Sequence, residues 1–393
     1  MTNNDHSCIT MPQQAATATR QRRISLGLPK CASTSDRRFP LTPEGVDILV
    51  RKGFDVRIQS GAAAAIHYSD AQYSKCGACV VSRQEALESD IVIHLAPLGA
   101  ADIKQMRRGA MLLSILHPEQ LVDYNVRALL DRRIISVAID HIRDKRGNTP
   151  FYDILMEVDG RASLALASSM LASADFGKGI LLGGVAGVNP CEVTILGSGI
   201  AARAAASSAL GLGAIVNMFD NDVYRIRESA RMLGPGITAS AFHPRVLEKA
   251  LRGADVVVAT PQDAPVAIDS DMIGIMKSGV IIMDINYDTA PSFPSLRAVD
   301  ISTVSHSHTA PKERQCYINL GNAVPRTAAM ALTNTFLCLM HEIISCEGVT
   351  DTVKLLPGIQ CAVYTFLGKP VNRQVAEIVK MRPMDINLLL NCS

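Results

Sequence analysis

The chain has 393 residues, with 39 Lys and Arg against 37 Asp and Glu and a formal net charge of +2. At roughly 100 to 200 residues per domain, this length predicts two or three domains, each with a core of its own, and excludes a disulfide miniprotein. So even a charge leaves no surplus of cations for phosphate contacts, so nucleic acid is not an expected partner. Apolar residues make up 48%, yet no charge-free apolar run approaches the roughly 18 residues that span a bilayer, so no membrane partner is expected either.

Residues 1–22 are rich in Thr, Gln, Asn, Ala and Arg and have few large apolar groups. They cannot offset the entropy of ordering themselves and read as a flexible arm. The opening MTNNDHSC has no apolar region of the secretory kind, and the ten cysteines are scattered through apolar text. Both point to a reducing cytoplasm. Cys76 and Cys79 form a lone C-x-x-C with no second pair, so they read as small buried apolar residues, and no metal site is expected.

From Ile24 short apolar runs (ISLGL, DVRIQ, ACVV, DIVIHL, AMLLSIL, IISVAI) alternate with amphipathic stretches such as Thr42 to Lys52 and Leu121 to Arg132. That βαβ rhythm predicts a parallel sheet with right-handed crossovers. Arg38 precedes a helix that Thr42 caps, with Pro43 at its first position and Glu44 in its first turn. His117 follows the run AMLLSIL, which places it where a strand leaves its sheet at the carboxyl edge, the usual ligand position in such folds.

Near Asp153 the text changes to a helix rich in small residues, then to the Gly-rich GILLGGVAGVNP. A second doubly wound unit follows: VTILG, a helix from about Ile200 to Leu210, AIVNMFD, a helix from Asp222 to Met232, ADVVVAT and GVIIMDI. Gly197, Gly199 and Ala202 form a G-x-G-x-x-A pattern where an apolar strand passes into an Ala-rich helix. Gly197 permits the tight turn, Gly199 lets the backbone approach a pyrophosphate, and Ala202 allows close helix packing. Asp220 ends the next strand, where an acid can hydrogen-bond the adenosine ribose and would repel a 2′-phosphate, so the expected cofactor is NAD. Asp288 stands just beyond GVIIMDI, again at a sheet edge. After Val324 the text turns helical, with no further strand, and is expected to pack back on the first unit. This gives 23–152 with 326–393 as a discontinuous substrate domain and 153–325 as the dinucleotide-binding domain.

Taken together, ISLGLPK, RRFPLTPEGVDILVRKGFDV, SILHP, GILLGGVAGVNPCEVTILGSG, LGAIVNMFDND, GVIIMDINYD and NAVPRTAAMALTN resemble the alanine dehydrogenase and proton-translocating transhydrogenase alpha-subunit family from about Ile24 to the last helix. The resemblance implies an α/β protein with two Rossmann-like, doubly wound parallel-sheet domains joined by long helices, and an active site in the cleft between them. It implies Arg38 as the group that binds the substrate carboxylate, His117 as the general acid-base, Asp288 beside the nicotinamide, Asp220 on the ribose, and Asn319 on the cofactor side. His117, where transhydrogenase alpha subunits usually have Trp, points to the dehydrogenase branch. A homo-oligomer, dimer or hexamer, is implied as well.

The chain departs from the family pattern on its substrate side. The K-V-K-E-P string that carries the family's catalytic lysine corresponds to His94-Leu95-Ala96-Pro97, with Ala96 in the lysine's place. The P-M-S-E-V-A-G-R string reads Ile154 to Arg161, with Met156 for the serine. The N-M-P-A-S-V-P string begins Asn319-Leu320, with Leu320 for the methionine. The expected function is NAD-dependent oxidoreduction of a small 2-amino or 2-oxo acid, with alanine and pyruvate as default. Alternatives are a reductive condensing enzyme that joins an amine to a 2-oxo acid, like carboxyethylornithine synthase, and a catalytically inactive NAD(H)-binding sensor.

Overall fold

The computed structural model of the protein describes residues 23–31, 36–116, 121–304 and 314–391. Its strands are short, apolar and mostly buried on both faces, as in VVVA at Val256–Ala259 and IIMD at Ile281–Asp284. That is the composition of parallel sheets covered by helices on either side.

The chain lays down β1 (Ser25–Leu28), β2 (Asp55–Gln59), β3 (Cys79–Val81), β4 (Ile91–Ile93), β5 (Met111–Ser114) and β6 (Ile135–Ala138). It then crosses to β7 (Glu192–Leu196), β8 (Ile215–Asp220), β9 (Ile237–Ala241), β10 (Val256–Ala259), β11 (Ile281–Asp284), β12 (Arg297–Asp300) and β13 (Gln315–Ile318). Finally it returns to the first sheet with β14 (Val363–Phe366) and β15 (Lys369–Pro370). The first sheet has the order β15-β14-β6-β5-β4-β1-β2-β3 and the second β12-β13-β11-β10-β7-β8-β9. Every pairing is parallel except β14 with β6 and with β15.

Two helices carry the crossings, Pro150–Ala172 outward and Pro325–Ile343 back. Each has proline at its start, where a missing N–H costs no helical hydrogen bond. Phe151 and Phe336 meet edge to face with ring centroids 4.7 Å apart, so the helices are pinned together inside the first core. The outward helix is lined with small residues because it lies close to the helix Ile200–Gly211. A methyl group at Gly160 would collide with the carbonyl oxygen of Ala201 and press on Ala204.

Two expectations need correction. The text after Val324 was expected to hold no strand, yet β14 and β15 extend the first sheet. Strands of four and two residues are too short for periodicity to tell strand from helix, and the turn between them depends on Leu367 and Gly368 in the left-handed region, φ +49° and +81°. Cys79 is exposed and Cys76 only partly buried, because Cys79 lies on β3, the edge strand of its sheet. The helix Pro43–Arg51 is capped as expected, the Gly45 N–H donating to Thr42 Oγ1.

Candidate functional site

A cavity of about 860 Å³ lies between the carboxyl ends of the two sheets and takes lining residues from both. On the nucleotide side, Gly197 turns the chain at φ +112°, and its N–H donates to the Phe219 carbonyl at 2.6 Å. A side chain there would strike Thr260 Oγ1. Gly199 is the N-cap of the Ile200–Gly211 helix and has no side chain to satisfy the first N–H groups. Gly199, Ile200 and Ala201 line the cavity, so those donors and the helix dipole face it. Ala202 is fully buried in the second core.

Asp220 sits at the end of β8 but is not among the cavity lining. Only 4% exposed, it accepts from Ser198 Oγ at 2.7 Å and from the Asp222 N–H at 2.9 Å, so it ties the glycine turn to the next strand. Asn319 lines the cavity in a left-handed conformation, φ +59°, and donates through Nδ2 to Asp300 Oδ2 at 2.6 Å.

On the substrate side, Arg38 reaches the cavity already paired. Its Nε and Nη2 donate to Asp36 Oδ1 and Oδ2 at 3.0 and 2.9 Å, and its backbone N–H also donates to Oδ1. Burial works against both charges, but the pair outweighs it, so the guanidinium titrates above its usual range and the Asp36 carboxyl below its own. A second carboxyl, Asp159 on the outward helix, adds to the field at Arg38. Burial pushes Asp159 up to about 6, against the Arg38 charge and a hydrogen bond from the Gly321 N–H. Burial also pushes Asp284 up to about 6, although the N–H groups of Ser292 and Asn286 donate to it. Asp288 is exposed to the cavity from the turn after β11.

The structure therefore gathers Arg38, Asp288, Asn319 and Gly199 around one space. His117 lies outside the described residues; Ile115 and Leu116, which precede it, line the cavity. His94 is 4% exposed, with Nδ1 at 2.5 Å from the Ala96 carbonyl oxygen, and it is not a lining residue. Burial lowers its pKa, so a neutral imidazole stands near the place of the missing lysine.

Two titratable lining residues that the sequence did not single out bear on the substrate side. His141, just past β6, has Nδ1 3.3 Å from Tyr364 Oη and Nε2 3.8 Å from Asp140 Oδ2. The carboxyl-edge rule that singled out His117 applies equally to it. Asp159 is the second, one of several charges on the outward helix and the one buried at the cavity, while its neighbours Glu157 and Arg161 pair with each other.

The chain matches the "Alanine dehydrogenase/PNT, C-terminal domain" family over residues 163–373 and the "Alanine dehydrogenase/PNT, N-terminal domain" family over residues 27–156. It is 30% identical over 364 residues to an alanine dehydrogenase of Staphylococcus epidermidis, covering 90% of this chain and 96% of that protein. It is 29% identical over 370 residues to alanine dehydrogenase 2 of Staphylococcus aureus, covering 91% and 97%. In fold it is similar to an L-alanine dehydrogenase, with TM-score 0.80, 24% identity and 91% and 99% of the two chains covered. It is also similar to a transhydrogenase from Sinorhizobium meliloti, with TM-score 0.71, 19% identity and 89% and 99% covered.

Proposed function

The chain belongs to the alanine dehydrogenase/PNT family, and we propose that it is an NAD-dependent oxidoreductase acting on the carbon–nitrogen centre of a small 2-amino or 2-oxo acid in this cleft. One observation carries the proposal: a glycine turn with a helix N-terminus on one side, and Arg38 with the Asp159 carboxyl on the other, line the same cavity. In this assignment 153–325 bind the dinucleotide, and 23–152 with 326–393 bind the substrate.

The groove suits a dinucleotide, because Gly199 presents bare backbone to open cavity space, a Cβ there meeting only the Pro261 carbonyl oxygen at 3.8 Å, and the helix N–H groups face that space. NAD, when bound, accepts or gives the hydride. The chain's own residues do the rest. Arg38 orients an acid substrate by charge, with Asp36 holding its fork in one plane. His117 moves the proton at the substrate nitrogen or oxygen. Asp288 positions water or ammonia from the turn beside β11.

Ala96 shifts the balance between substrates. A bare ketone needs a cation to polarise it, whereas an iminium carries its own charge. Asp159, beside an arginine already engaged by Asp36, and Asp288, elsewhere in the same cavity lining, favour a cationic nitrogen. That favours the second reading, reductive joining of an amine to a 2-oxo acid, over alanine oxidation.

Cofactor binding is the first test. NADH fluorescence titration should give a dissociation constant at least about tenfold lower than for NADPH, since Asp220 places a negative charge at the end of β8. Asp220→Ser should narrow the gap. Equal constants for the two cofactors in the native chain would contradict the assignment. Tight NADH binding without turnover of any 2-oxo acid, with or without amines, would favour the inactive sensor.

A further inference from the structure

The strand order of the second sheet puts β7 between β10 and β8, so the glycine turn after β7 has the β10 loop on one side and the β8 helix on the other. An ion pair bridges those two sides. Arg225, in the helix Val223–Leu233, pairs through Nη2 with Asp263 in the loop after β10. Its Nε is held by Asp222, the N-cap of the same helix, at 3.1 Å. Arg225, Asp263 and Gly199 line the same cavity, and Gln262, next to Asp263, lies against the space beside Gly197. Both polar atoms of the Gln262 amide are buried and have no partner among the described residues. The pair therefore spans the track along which an extended dinucleotide would lay its diphosphate on the turn.

We infer that Arg225 is a cofactor-binding residue whose site is held, in the ligand-free chain, by Asp263 as a built-in competitor. Binding exchanges a carboxylate for a diphosphate oxygen on the same guanidinium. Asp222 keeps its hold on Nε and so keeps the fork aimed at the turn. The exchange is easy on the Asp263 side, whose side chain is 83% exposed against 28% for Arg225, because an exposed ion pair is worth little in water. The other cations nearby are committed elsewhere. Arg203 donates to the Ser198 carbonyl and sits 3.9 Å from Glu228, and Arg227 stacks on Tyr224. The inference rests on the dinucleotide reading of this groove.

The test is NADH titration by fluorescence on the full chain and three variants, repeated with ADP-ribose and with uncharged adenosine. Asp263→Ala should tighten NADH and ADP-ribose about two- to fivefold, and Arg225→Ala should weaken them about tenfold or more. Adenosine should respond to neither change. In the Arg225→Ala background, Asp263→Ala should have no further effect, because Asp263 acts only through that guanidinium. An unchanged constant for Asp263→Ala would overturn the inference. So would the same tightening in the Arg225→Ala background, which would mark simple charge repulsion. Failure of the native chain to bind NADH at all would instead remove the dinucleotide reading on which the exchange depends.

Discussion

Asp159 concentrates the chemistry of the site in one side chain. Its folded pKa of about 6 lies above the ordinary value of 3.8, so between those values the folded state holds more protons than the unfolded one. Stability therefore falls as pH rises from about 4 through 6 and stays lower above that. Asp159→Asn keeps an acceptor for the Gly321 N–H and removes the ionisation. It should match the native chain near pH 4 and exceed it by on the order of 1 to 2 kcal/mol above pH 7. Urea denaturation at both pH values checks this, and a gain that does not depend on pH would contradict it. Arg38 behaves in the opposite way, because its loss strands Asp36 in a buried position. Arg38→Ala should cost about 3 kcal/mol, and the double variant with Asp36→Ala should recover much of that. Equal denaturation midpoints for the single and double variants would show that the pair is not the source of the loss. Arg38 entered as a candidate through the family resemblance and not through its place before a capped helix, and its partner was hidden, since nothing in D-R-R signals which acid folds back on which arginine.

Elements were legible where pattern and punctuation agreed. VTILGSG showed both the turn and the helix after it, because a glycine pair between an apolar strand and an Ala-rich run has few other uses. β14 was hidden by its length and by a turn built on Leu367, a residue type that rarely takes positive φ. The outward helix was visible as small-residue text, but the cause of that composition is its close approach to the Ile200–Gly211 helix. Gly160→Ala should separate the two helices and, through Ala201, distort the nucleotide edge of the cavity. We expect a loss of about 1 to 3 kcal/mol together with weaker NADH binding. Alanine is the better intrinsic helix former by up to about 1 kcal/mol, so a stabilised variant would mean that the helices have room to spare.

The whole molecule brings together two sheets whose carboxyl ends face one cavity, and this arrangement gives the proposed chemistry its place. No helix among the described residues is long and apolar enough to cross a membrane. The two-sheet plan could be read from alternating runs, and the late helical text pointed to a return to the first unit but not to the two strands it adds to that unit's sheet. The pairing of Arg38 with Asp36, the placement of Asp159 beside it, and the ion pair over the glycine turn depend on contacts between segments distant in sequence or on loop conformations that periodicity does not encode. The most direct measurement follows NADH oxidation with pyruvate, glyoxylate and related 2-oxo acids, each offered with ammonia and with a set of primary amines. The account predicts turnover that requires both an oxo acid and a nitrogen donor, is strongest with an amine, and is slow for pyruvate with ammonia until Ala96→Lys restores a cation. Native alanine oxidation on the order of 10 s⁻¹, or no turnover in any combination by a chain that binds NADH, would contradict it.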